Sequence, residues 1–436
     1  MDVHVRFCHE PKCSVSSNKM NHLFIVLLFL FIVCESHAQP GRVRTNDEKV
    51  QSVRLKIDGN AERPAVLQKG EQLELSFDYI DPVVHRFTYR VDLLTFDGKI
   101  TDELFESEYV RQTEEQIPLD DAEPSEFTRT HYMHYRLTLP NTDVVPFLSG
   151  NYRITVCEES DDADEPRTVF TADFGILDVK ATVGIAVSTD TDIDRNRSHQ
   201  QVSVKTLLRN VSVTDAEREI RLLVFQNRRF DNFVTAPAPS YIYNGQLEWK
   251  HCQALIFPAG NEYRRFEIIS SDHPGMGVDH VSKDGDWRDH HLMTDEKRKN
   301  YVFYEERNGI FVPRTDWEGD AELTADYVRV HFQLLSPEIP GAECLLQGLW
   351  TPAESIAPYR LNYNELTQAY EGTFLLKTGY YDYQYVFRSP NGAVKPSLAE
   401  GDFFQTENEY MTLLYHRPLG SRYWQLIGHS VLSFRQ

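Results

Sequence analysis

The stretch FPAGNEYRRFEI, residues 257–268, sets Glu262, Arg264 and Arg265 beside Tyr263 and Phe266. One carboxylate and two guanidinium groups among aromatic rings can form an ion-pair network inside a fold. On a surface, the same Arg and aromatic types are those enriched at interface anchors. The PAGN segment at 258–261 reads as a turn between two strands. A second group, NRRFDN at 227–232, offers Arg228, Arg229 and Phe230. Four histidines, His273, His280, His290 and His291, lie among Asp272, Asp279, Asp284 and Asp286. These are metal-ligand and hydrolase residue types. Their spacing lacks the helical His pair of a zinc motif, and Gly275, Gly277 and Gly285 make the stretch read as a loop. DTDID at 190–194 opens like a calcium loop, which needs Gly at its sixth position and Glu at its twelfth. Arg195 and Gln201 stand there instead, so a solvated acidic turn is expected. GHS at 428–430 is half of a nucleophile elbow without its second glycine. No phosphate-binding loop or dinucleotide fingerprint occurs. Carboxylates are too common here for one pair to stand out as an acid/base couple. The residues therefore point away from an enzyme and call for no cofactor or metal.

Strands must position these groups. Period-two alternation recurs at residues 52–57, 71–78, 87–91, 134–139, 152–156 and 169–177, the spacing of a β-sandwich. A second set covers 183–188, 201–208, 220–226, 241–243, 254–257, 264–269 and 301–304. A third covers 325–335, 343–349, 369–376, 382–387 and 410–415. Long amphipathic helices are nearly absent, and 364–369 reads as a turn or one short helix. The expectation is an all-β chain with three immunoglobulin-like sandwich domains in series, at 39–179, 180–321 and 322–436. The 436 residues are too many for one core, and roughly two to four domains follow from length alone. LKTGYYDYQYVF at 376–387 resembles a strand pair of starch- and glycogen-binding modules. Trp350, Tyr381 and Tyr383 could then stack on sugar, although alternate aromatics also serve to pack a sandwich face.

The formal net charge of −21 argues against a nucleic-acid groove, which needs a positive field. Residues 23–33 form an unbroken run of 11 apolar residues behind Lys19. That run is short for a membrane span. With Ser36-His37-Ala38 after it, residues 1–38 read as a signal peptide cleaved after Ala38, with Met20 an alternative start. Beyond it only Cys157, Cys252 and Cys344 remain. They leave room for at most one disulfide, whose partners the spacing does not choose.

A series of landmarks spans nearly the whole mature chain. In the first third these are residues 125–130, YMHY at 132–135, LPN at 139–141 and GNY at 150–152. NRRFDN at 227–232, FPAGNEYRRF at 257–266, GMG at 275–277, NG at 308–309 and ADYVRVHF at 325–332 follow. GLW at 348–350, EG at 400–401, TENEY at 406–410, YHRPLGSRY at 415–423 and LIG at 426–428 complete the set. With these the chain resembles the plug protein family of the Bacteroidetes type IX secretion system. Residues 92–97 depart from that family's usual Cys/Trp-containing segment. The resemblance implies a non-enzymatic periplasmic protein without a membrane anchor of its own. Such a protein would dock on the giant outer-membrane translocon barrel and seal its periplasmic opening. Arg228, Arg229, Phe230, Glu262, Arg264, Arg265 and Phe266 would then serve either docking or internal structure. The alternative is a periplasmic or secreted glycan-binding protein using Trp350, Tyr381 and Tyr383.

Overall fold

A computed structural model describes residues 38–159, 166–243, 245–356 and 358–435. The expected signal peptide, apart from Ala38, lies outside these residues. The all-β expectation holds. Among the described residues the α-helices are three pieces of four residues each, Ala216–Glu219, Ala321–Thr324 and Ser397–Glu400.

The first core lies between two antiparallel layers. One is built around Phe87–Leu94, Gly150–Glu158 and Arg167–Ile176. The other contains Val50–Ile57, Leu73–Tyr79 and Met133–Leu139. The alternation seen in the sequence turns one side chain in two inwards. Phe77 from one layer meets Phe170 from the other, with ring centroids 4.8 Å apart. Phe87 meets Tyr135 edge-on at 4.9 Å.

The second core is assembled from two distant parts of the chain. Ala181–Ser188 pairs with His199–Leu208, which pairs in turn with Gln246–Trp249. The facing layer joins Ile220–Gln226 to Asn408–His416, and that strand to Gln425–Phe434. Trp249, Phe257, Leu222, Tyr410 and Ile427 share the buried cluster between them.

The third core fills the interval. Its sheet runs from Arg264–Ile268 through Gly379–Arg388, Glu343–Gln347, Arg360–Asn364, Ala369–Lys377 and Tyr327–Leu335. It ends in the hairpin of Trp287–Leu292 and Val278–Asp284. The sheet curls over, because Phe266 near one end lies 5.6 Å from Phe332 near the other.

Several local expectations give way here. Strands at 264–268 and 278–292, placed by the sequence in a middle unit, pair with Gly379–Arg388 and Tyr327–Leu335 across the boundary drawn at 321/322. Their hydrogen-bond partners, not chain proximity, decide the core they join. Ala369–Lys377 and Gly379–Arg388 follow one another but do not pair, since two strands lie between them in the sheet. Residues 301–304 form no strand. The Asp/His-rich stretch read as a loop is instead that hairpin, with Gly285 at φ +59° supplying the left-handed turn. Cys157, Cys252 and Cys344 are buried free thiols.

A buried ion pair joins the first core to the third. Asp78 and Lys377 both have side chains about 1% exposed, and Nζ lies 2.6 Å from Oδ2. Asp78 Oδ2 also accepts from the Tyr327 hydroxyl at 2.6 Å, and His134 Nδ1 lies 2.6 Å from Oδ1. Lys377 donates to the Glu322 carbonyl at 2.6 Å and sits 4.4 Å from the centre of the Tyr132 ring. Burial pushes the Lys377 ammonium down to about 8 against the pull of Asp78. Burial would raise Asp78, but the Lys377 charge and the His134 contact hold it below its ordinary value. Removing one partner leaves the other charged and buried. Lys377→Met should therefore cost about 3 to 5 kcal/mol. Combined with Asp78→Asn it should cost less than the sum of the single changes, by on the order of 1 to 3 kcal/mol. Urea unfolding of the four proteins measures this coupling, and strict additivity would count against it.

Candidate functional site

The strand Arg264–Ile268 places Arg264 and Phe266 on its inner face and Arg265 on its outer face. Arg264 is buried. Its Nε donates to both Glu400 oxygens at 3.0 and 3.1 Å, and Nη1 lies 2.5 Å from Asp295 Oδ1. Nη2 donates to the Glu296 carbonyl at 2.8 Å. The second Asp295 oxygen accepts from the Tyr383 and Tyr385 hydroxyls at 2.7 and 2.8 Å. Burial weakens the guanidinium charge, but Glu400 and Asp295 more than restore it and raise Arg264 above its usual value. Arg298 approaches Glu400 at 3.5 Å. Two cations and two carboxylates thus close an internal network that needs no outside partner.

Phe266 is fully buried and stacks on Tyr381 at 4.9 Å and 6°. Tyr381 and Tyr383 are only 2% and 4% exposed, so neither ring face is offered to a sugar. Trp350 packs edge-on against Tyr381 and Tyr359 and donates Nε1 to the Asp382 carbonyl at 2.8 Å. The alternation read as a stacking surface is the packing of this sheet. Arg265 is half-buried, donates to the Glu305 carbonyl at 2.7 Å and lies over Tyr304.

The NRRFDN segment is a turn that ties together two neighbouring strands in one layer of the second core, Ile220–Gln226 and Asn408–His416. Asn227 and Arg228 both adopt φ +52°. The Asn227 side chain exchanges hydrogen bonds with Asn408 Oδ1 and the Glu409 N–H, each 2.8 Å. Arg228 pairs with Glu409 at 2.9 Å, and Arg229 with Asp231 at 2.5 Å. Gln347 of the third core donates to Asp231 at 2.8 Å. Phe230 is half-buried and lines a cleft with Trp350 and Phe311. The structure therefore ties the two Arg-rich motifs into the joints of the fold, with Arg265 and Phe230 left partly open.

Glu262 is the member of the group with unusual chemistry. It is buried, and its Oε1 accepts from the Tyr301 hydroxyl at 2.8 Å and the Glu407 N–H at 3.0 Å. Its Oε2 has no partner. Burial pushes the carboxyl up to about 7, against the Glu407 and Tyr301 hydrogen bonds. Tyr301 was expected in a strand, and its role at Glu262 carried no sequence signal. Asp190–Asp194 closes on itself as a turn: Asp194 takes His199 Nδ1 at 2.7 Å, and Gln201 donates to Asp192 at 2.7 Å. His280, His291 and His331 stack across three neighbouring strands at 4.3 and 4.2 Å. Among the described residues no group of three or more His, Cys, Asp or Glu side chains could hold a metal ion.

This stack of three β cores has a counterpart of nearly the same shape. A crystal structure of a hypothetical protein from Parabacteroides merdae is 34% identical in sequence, with a TM-score of 0.86. The alignment covers 91% of this chain and all of the other. Residues 50–178 match the type 9 secretion system plug protein first domain. The chain belongs to the type 9 secretion system plug protein family. That family is one of secretion-system proteins rather than enzymes, and it associates the chain with the cell envelope. The C-terminal domain of the Streptococcus agalactiae polypeptide BspA aligns at 8% identity over 88% of this chain and all of its own. A Salmonella alpha-2-macroglobulin variant aligns at 10% over 88% of this chain and 33% of its own. Both have TM-scores of 0.16 and carry no argument. No curated protein matches the chain.

The Glu262 environment predicts a pH effect. The folded carboxyl titrates near 7, above the ordinary 4.5. Between those values the native protein keeps a proton that the unfolded chain has released. Stability then falls as pH rises through this window. Glu262→Gln should match the wild type near pH 5 and exceed it by on the order of 2 kcal/mol at pH 8. Urea midpoints at the two pH values measure the gap. A gap independent of pH would mean that Glu262 is ionised throughout.

Proposed function

We propose that this protein is a non-enzymatic periplasmic subunit that docks on the outer-membrane translocon barrel of the type IX secretion system and seals its periplasmic opening. Family membership, carried by the plug first-domain match and a full-length relative, is the observation behind this reading. The construction of the molecule suits the task. A wide water-filled barrel leaks solutes unless something rigid covers it. Three β cores joined by a buried ion pair, apolar packing and buried hydrogen bonds resist deformation without any chemistry. Among the described residues no helix is long and apolar enough to cross a membrane. Sealing would then rest on association with the barrel, and a cleaved signal peptide would deliver the protein to it. We take the three cores as its three units. Arg265 and Phe230 are the members of the sequence motifs still available for docking, since Arg264 and Phe266 are committed to the interior.

A tagged copy expressed in a type IX-secreting bacterium and recovered from outer membranes in mild detergent should bring down one very large barrel protein in stoichiometric amount. Arg265→Glu should reduce recovery, with its unfolding midpoint as the folding control because it also loses the Glu305 and Tyr304 contacts. Failure of the folded wild-type bait to recover any barrel at several salt concentrations would sink the plug reading. Unchanged recovery of the variant would move the docking face elsewhere.

A further inference from the structure

Exposed aromatic rings meet a polar cleft where a loop of the first core lies against one of the third. Phe127, from the first core, and Trp317, from the third, stack at 5.3 Å and 11°. They remain 68% and 55% exposed. Stacked on each other, both residues still leave more than half of their surface to water. Exposed apolar surface rimmed by polar groups is a feature of ligand-binding grooves. Phe127 also stands at φ +59°, a left-handed conformation uncommon for a bulky residue. It persists because its flanks are pinned. The Glu126 N–H donates to the Leu323 carbonyl at 2.9 Å, and the Thr128 hydroxyl to Ser125 at 2.8 Å. Trp317 is anchored by its N–H to the Thr315 hydroxyl at 3.2 Å, and that hydroxyl donates to the Thr324 carbonyl. Strain held in place by surrounding bonds is characteristic of ligand sites.

Both rings border a cleft of about 300 Å³ lined with hydroxyls and carboxylates, among them Ser270, Thr315, Asp316, Asp326 and Thr378. Arg129 also reaches it, but its guanidinium is taken by Asp272 at 2.7 Å and Ser271 at 2.6 Å. Asp316 gives the cleft a carboxylate, while Asp326 Oδ1 already accepts the Thr130 and Tyr327 N–H groups at 3.0 and 2.9 Å. A phosphate, a sulfate or an acidic peptide would be repelled. A ligand with many hydroxyl donors and an apolar ring face fits both halves of the site. We propose that Phe127 and Trp317 form the stacking platform of a binding site for a neutral oligosaccharide, whose hydroxyl groups meet the carboxylates and hydroxyls of the adjoining cleft. This site is distinct from Trp350, Tyr381 and Tyr383, and it does not depend on docking at the barrel.

Isothermal titration of the mature chain with chitotetraose, cellotetraose and maltotetraose tests the proposal. At least one should bind. Trp317→Ala and Phe127→Ala should each weaken that binding about tenfold, as loss of a stacked ring predicts. Asp316→Asn should weaken it with no change in the thermal midpoint. The proposal is overturned if none of the three sugars binds the wild type, or if binding survives both alanine substitutions. A drop in thermal midpoint with either alanine variant, in a protein that binds no sugar, would identify the rings as a clasp between two cores.

Discussion

A carboxylate and an ammonium group shut away from water must find each other, and this requirement fixes the first core against the third. Asp78 and Lys377 stand far apart in the chain, yet each is the other's counter-ion. Their remaining hydrogen-bonding capacity is absorbed by His134, Tyr327 and the Glu322 carbonyl. Such an arrangement adds little net stability over a well-packed apolar joint, because desolvation offsets most of the attraction. Its effect is geometric. A small slide of one core over the other would strand a buried charge, whereas an oily joint would tolerate it. Lys56 adds a partly exposed link across the same joint, with Nζ 3.0 Å from Glu322.

The other joints use different means. The first and second cores meet through apolar side chains, with Phe96 edge-on to Tyr415 at 5.4 Å. Tyr415 then donates its hydroxyl to Asn151 at 3.0 Å. The second and third cores are linked by the chain itself, which leaves one after residue 258 and returns after 400, and by polar contacts around Asn261. Asn261 donates to the Glu400 carbonyl at 3.0 Å, and the Gly260 N–H to Asp402 at 3.0 Å. The PAGN turn thus sits where the path crosses between cores, which explains the abrupt change from apolar to charged residues there.

Much of the local architecture was legible in the sequence. Strands at 220–226 and 241–243 have the bounds read from the sequence, although the first is buried at all but one position and the second is exposed throughout. What alternation does not encode is the partner. Nothing in residues 220–226 announces that 408–416 lies beside them, so domains in series were the natural expectation and nested pairing was not. The hairpin at 278–292 escaped notice because much of it faces water and carries polar residues on both faces. The Arg264 motif was visible as chemistry, but its setting was not. Types and spacing are the same for an ion-pair network and for an interface, and only Glu400, Asp295 and Arg298, distant in sequence, decide between them. Phe127 and Trp317 showed no periodicity. Their signal is an aromatic residue alone among charged and hydroxylated neighbours, in SEFTR and DWEGD.

The nesting of the cores sets an order of events for a chain that emerges from one end. The first core can close as soon as residue 176 has appeared. The second cannot. Its layer of Ala181–Ser188, His199–Leu208 and Gln246–Trp249 must wait, with Trp249 and Phe257 uncovered, until the whole third core has followed and Asn408–His416 and Gln425–Phe434 arrive to cover them. Half-built sandwiches with open edges are the species that aggregate. In a newly delivered molecule, the part most in need of a chaperone is therefore the one that waits longest for its other half, lying midway along the chain and not at either end.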